Sequence, residues 1–131
     1  MIMFTLEQIK AAHSKVKSGS DFPQYIRSLK ALGVDHYTTK VDDGTNEYFG
    51  CADFKIESEP KYLKLTVADK VESQKFEEYL KAHQQGKSDY LTFCNQAAKT
   101  GVESWTVLLD KMTCTYYDKT GNSILIENVP Q

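Results

Sequence analysis

The chain has 131 residues, with 16 Lys and Arg against 18 Asp and Glu, for a formal net charge of −2. Hydrophobic residues at 40% and aromatics at 11% exclude a disordered or tail-like protein and describe one globular domain over residues 1–131, too short for two. Neither half carries a basic surplus, which argues against a dedicated nucleic-acid binder.

Apolar stretches such as Val107-Leu108-Leu109 and Ile124-Leu125-Ile126 are far too short for a bilayer, so the expectation is a cytoplasmic protein without membrane contact. Three cysteines, Cys51, Cys94 and Cys114, form neither a disulfide framework nor a zinc clamp and read as mostly buried free thiols.

Helix signals open the chain. Thr5 with Gln8 is a capping-box pattern, followed by Leu6, Ile9, His13 and Val16 on one face. A turn at Lys17-Ser18-Gly19-Ser20 leads to Asp21 as the next cap, with Pro23 in the first turn. Phe22, Tyr25, Ile26, Leu29 and Leu32 make the second apolar stripe, and Gly33 stops it. The two helices should form a hairpin.

The period then changes from helical to alternating. Val34–Val41 reads as a strand, Asp42-Asp43-Gly44 as a turn and Thr45–Phe49 as the return strand. Cys51–Glu57 alternates as a third strand. Leu63, Leu65 and Val67 suggest a further short strand or an extended connector. The plan then recurs: a helix capped by Ser73 and ending near Gly86, and another opened by Ser88-Asp89 and stopped by Gly101. Strands follow at Val102–Leu109, Thr113–Asp118 and Ser123–Val129.

Sliding the chain along itself supports the recurrence. At an offset of 68, residues 20–50 align without a gap on 88–118 with eight identities in 31 positions, among them Asp21/Asp89, Gly33/Gly101, Thr38/Thr106 and Tyr48/Tyr116. The reading is an internal duplication of a helix–helix–strand–strand–strand unit, with halves at about 4–57 and 72–129 and a connector at 58–71. The expected fold is α+β, with helix pairs on one face of an antiparallel sheet.

The stretches Phe4-Thr5-Leu6-Glu7-Gln8-Ile9, Lys81-Ala82-His83-Gln84-Gln85-Gly86-Lys87, Tyr90-Leu91-Thr92-Phe93-Cys94 and Thr113-Cys114-Thr115-Tyr116-Tyr117-Asp118 carry a family resemblance. Nearly end to end, the chain resembles the YdfO-like family of small bacterial and prophage proteins, a domain family of unknown function some of whose members are labelled phage envelope protein. The resemblance implies a compact α+β fold and a bacterial or phage setting, with no catalytic residues to carry over.

Several chemical motifs fail on spacing. Gly86-Lys87-Ser88 resembles a P-loop tail, but position 81 is Lys and the segment follows a helix. His13, His36 and His83 have no partner at ligand spacing, so neither a metal nor a cofactor is implied. Cys94 with His83 is the best nucleophile–base pair the chain offers, yet Cys94 falls on a packing face between Leu91 and Ala98.

The aromatics are more informative. Tyr37, Tyr48, Phe49, Trp105, Tyr116 and Tyr117 fall on the two hairpins at matched positions, and alternation turns Tyr48 away from Phe49 and Tyr116 away from Tyr117. The leading expectation is a non-enzymatic module whose groove, between the halves, binds a small molecule or peptide through His36, Tyr37, Tyr48, Trp105 and Tyr116. The second is a prophage-associated protein that forms homo-oligomers through an aromatic sheet face, and the third is a Cys94-dependent enzyme.

Overall fold

A computed structural model describes residues 4–16, 21–51 and 54–128. The first helix pair is α1 (Leu6–His13) and α2 (Phe22–Leu32), followed by β1 (His36–Lys40), β2 (Asn46–Phe49) and β3 (Lys55–Glu57). The second pair is α3 (Ser73–Gln84) and α4 (Tyr90–Lys99), followed by β4 (Ser104–Leu108), β5 (Thr113–Tyr117) and β6 (Ser123–Asn128). The six strands form one antiparallel sheet in the order β3-β2-β1-β4-β5-β6. The fold is α+β, as the change of period predicts.

Caps fix the helix starts. Thr5 Oγ1 accepts from the Gln8 amide at 3.2 Å while Gln8 Oε1 accepts from the Thr5 amide at 2.9 Å, closing the capping box. Asp89 accepts from the Thr92 amide at 2.7 Å. Ser73, expected as a cap, is instead the first residue of α3, and Glu72 stands at the N-cap. The reason is tertiary: the Glu72 amide bonds the Thr100 carbonyl at 3.0 Å, which fixes the backbone one residue earlier. Gly33 and Gly101 end α2 and α4 in the left-handed region, at φ 103° and 89°.

One strand expectation is corrected and an open one is decided. The third strand begins at Lys55 rather than Cys51, because the Gly50 amide turns back to the Phe54 carbonyl at 2.7 Å. Of the two expectations for Leu63–Val67, a short strand or an extended connector, the connector holds. It is fixed where the Leu65 amide meets the Asp42 carbonyl and the Ala68 amide meets the Ala98 carbonyl. The turn expected at 17–20 and the strand end at Val129 lie outside the described residues.

Alternation decides which side chains the helices cover. Tyr37, Thr39, Tyr48, Trp105, Val107, Cys114 and Tyr116 are buried beneath the helices, while Thr38, Thr106 and Leu108 point to the other face, which carries no helix among the described residues. Phe76 of α3 packs on Tyr116 at 5.0 Å between ring centroids, Phe93 of α4 on Trp105 at 5.7 Å and Tyr25 of α2 on Tyr37 at 6.5 Å. With Ile26, Leu29, Phe76, Val107 and Leu109 fully buried, each such side chain contributes roughly 1.5–3 kcal/mol of burial.

Register positions recur at the 68-residue spacing. Tyr37 pairs Tyr48 in the first hairpin as Trp105 pairs Tyr116 in the second. Where the hairpins join, β1 runs antiparallel to β4 with Thr38 opposite Thr106, and the Val41 amide bonds Glu103 as the Leu109 amide bonds Asp35.

Candidate functional site

Because each helix pair packs on its own hairpin, a cleft opens between them over the joined strands. Its volume is about 620 Å³, in the range of small-molecule sites. The floor comes from the sheet, with Tyr37 and Thr39 on β1, Asn46 on β2, Trp105 on β4, and Cys114 and Tyr116 on β5. One wall holds His13, Phe22 and Tyr25; the other holds Leu80, His83, Tyr90 and Phe93, with Lys61 of the connector beside them.

Three of the five residues singled out in the sequence, Tyr37, Trp105 and Tyr116, line this cleft. Tyr48 does not line the cleft but is buried beside its floor on the neighbouring strand, opposite Tyr37, its hydroxyl accepting from Asn46 Nδ2 at 2.9 Å. The fifth, His36, stays apart: it stacks on Phe49 at 4.4 Å with rings 9° from parallel, on the sheet face turned away from the helices. The alternation of β1 sends His36 and Tyr37 to opposite faces, so one strand cannot deliver both.

The lining residues form pairs 68 positions apart, and several pairs differ in polarity. Phe22 answers Tyr90, Tyr25 answers Phe93, Tyr37 answers Trp105 and Asn46 answers Cys114. Thr39 Oγ1 donates to Asn46 Oδ1, so Asn46, Thr39 and Tyr48 form one buried chain.

Charge in the cleft is unequally committed. Glu127 accepts from the Tyr116 hydroxyl at 2.9 Å and from Gln84 Nε2 at 3.1 Å. Asp89 is spent on the α4 cap. Lys61, by contrast, meets no carboxylate among the described residues; its ammonium stands 5.7 Å from the centre of the Tyr90 ring. The protein atoms around that ammonium lower its pKa, with Cys94 acting in the opposite sense.

Both cleft histidines are held below the ordinary value. For His13 the cause is burial, then repulsion from Lys61; for His83 burial outweighs the Ser88 carbonyl and Asp89. His83 stacks on Phe93 at 4.6 Å, and His13 meets Tyr25 edge-on at 5.3 Å. Sequence reasoning placed both on apolar sides but missed Lys61, which lies in a connector without periodicity.

Cys94 is fully buried, and burial raises its pKa although the hydroxyls of Tyr62 and Tyr90 and the charge of Lys61 partly offset this. Burial pushes the Cys114 thiol up to about 12. These are the properties of inert thiols. Among the described residues no three His, Cys, Asp or Glu side chains gather as a cation site, and no helix is long and apolar enough to cross a membrane.

Residues 10–128 match the family described as protein of unknown function (DUF1398), and the chain belongs to that family. No curated protein matches it.

Proposed function

We propose that this DUF1398 chain is a non-enzymatic binding module, built by internal duplication, whose central cleft holds a small planar molecule. One observation carries the reading: a cleft of about 620 Å³ over the joined strands, floored by Tyr37, Trp105 and Tyr116 and walled by Phe22, Tyr25, Tyr90 and Phe93. Flat aromatic walls reward a flat apolar guest, and the polar floor groups fix its orientation. Duplication accounts for the site's position, since joining two like halves edge to edge leaves the space between their helix pairs unfilled.

Native mass spectrometry of the purified, tag-free chain tests this. The expected result is a monomer that carries a co-purified or added aromatic compound. A Trp105→Leu variant should keep the monomer mass and lose the adduct. A dimer or larger species without adduct, which an Ile126→Lys variant returns to monomer, overturns the reading.

That outcome would favour the second reading, a homo-oligomer in a bacterial prophage setting. Its surface would be the helix-free sheet face, where Ile126 is 61% exposed.

A further inference from the structure

The guest's chemistry is legible in which polar groups of the cleft have partners. Asp89 and Glu127 are both engaged, as are Thr39, Asn46 and His83, the last through Nδ1 on the Ser88 carbonyl at 3.1 Å. Left without a hydrogen-bond or ion-pair partner among the described residues are three donors, the Tyr37 hydroxyl, the Trp105 indole N–H and the Lys61 ammonium, together with the His13 ring, which when neutral offers one donor and one acceptor. Tyr37 is 4% exposed and Trp105 7%, so these two are buried cleft donors rather than surface groups.

Indole N–H and ammonium only donate, and a phenol donates readily. A guest that fills the cleft removes their water and must replace it with acceptors, or each donor is left desolvated. A cationic guest would add repulsion from Lys61, and a neutral hydrocarbon would leave all three donors unanswered.

We propose that the cleft selects aromatic carboxylates, with the ring between the aromatic walls and the carboxylate drawn to Lys61. This rests on the cleft being a small-molecule site and goes further by naming the charge of its guest. Charge-assisted hydrogen bonds are stronger than neutral ones, so the carboxylate should bind roughly tenfold more tightly than an uncharged analogue of the same shape.

Trp105 is the only tryptophan, and its emission therefore reports on the cleft directly. The full chain is titrated with naphthoate, naphthylmethanol and naphthylmethylamine. The expected order is naphthoate tightest and the amine weakest. Lys61→Met should reduce naphthoate to the affinity of the alcohol while leaving the alcohol unchanged, and Lys61→Arg should retain the preference. Equal binding of the three probes, tightest binding of the amine, or a naphthoate preference that survives Lys61→Met overturns the carboxylate proposal and leaves the cleft as an aromatic site. Absence of binding by all three overturns the cleft reading together with it.

Discussion

The hydroxyls of Thr38 and Thr106 meet at 2.9 Å across β1 and β4, although the residues lie 68 positions apart. They stand at the centre of the sheet, where the two hairpins join, and each is the other's partner at the same register position. Replacing one threonine by valine leaves a half-buried hydroxyl without its partner, at a cost of about 0.5–1.5 kcal/mol. Replacing both removes donor and acceptor together and installs a good strand residue twice. Chemical denaturation of Thr38→Val, Thr106→Val and the double variant should show the double losing less than the sum of the singles. Strict additivity would mean that the contact contributes nothing to joining the halves.

Gly44 and Met112 occupy equivalent places in the two hairpin turns and share a left-handed backbone, at φ 78° and 52°. A Cβ at Gly44 would lie 2.8 Å from Tyr62 Cε2 and 3.1 Å from Lys61 Cβ. Gly44→Ala should therefore lower stability by about 1–3 kcal/mol and, by displacing Lys61, weaken naphthoate binding. At Met112 two effects oppose. Glycine would relieve about 1–2 kcal/mol of left-handed strain but lose a side chain only 8% exposed, a loss of about 2–5 kcal/mol. Packing wins, so Met112→Gly should also destabilise, as thermal unfolding would show.

The outcome at these positions shows what sequence could and could not reveal. Helix caps, glycine stops and the two aromatic hairpins were legible because each depends on residues within a few positions of one another. The 68-residue offset made Thr38 and Thr106 equivalent positions, but only the antiparallel junction of β1 with β4 sets them face to face. Errors arose where distant backbone intervened, as when Thr100 moved the α3 cap to Glu72. His36 was grouped with Tyr37 by proximity in sequence, although strand alternation separates neighbours. Lys61 gave no local signal; it stands out only because the acids around the cleft are committed elsewhere.

His13 and His83 make stability depend on pH in a definite direction. Their folded pKa values lie below the ordinary 6.5, through burial in both cases, with Lys61 facing His13 and Asp89 facing His83. As pH falls through that value the unfolded chain takes up protons first, so stability declines; above it the contribution is fully present. The denaturant midpoint should be level between about pH 7 and 8 and fall from about 6.5 towards 5. The paired carboxylates act lower: Glu47, hydrogen-bonded by Lys55, and Asp118, hydrogen-bonded by Thr120, have depressed values whose contribution is lost only in the acid range. His13→Gln with His83→Gln should flatten the upper window alone. A slope unchanged in that double variant would assign it to other groups.

Thiol labelling separates a binding module from cysteine chemistry. Cys51 is exposed, whereas Cys94 is wholly buried and Cys114 is 3% exposed. Burial raises the pKa of both inner thiols, so little thiolate is present near neutral pH. A disulfide reagent added to the native chain should consume one thiol quickly, with Cys51→Ser abolishing that phase. Cys94 and Cys114 should react only as the fold opens, and denaturant should bring all three to similar rates. If Cys94 instead reacted as fast as Cys51 in native buffer, a stabilised thiolate would have to exist beneath α4. The hydroxyls of Tyr62 and Tyr90 and the charge of Lys61 are the groups that could supply it, and Lys61→Met would then slow the reaction.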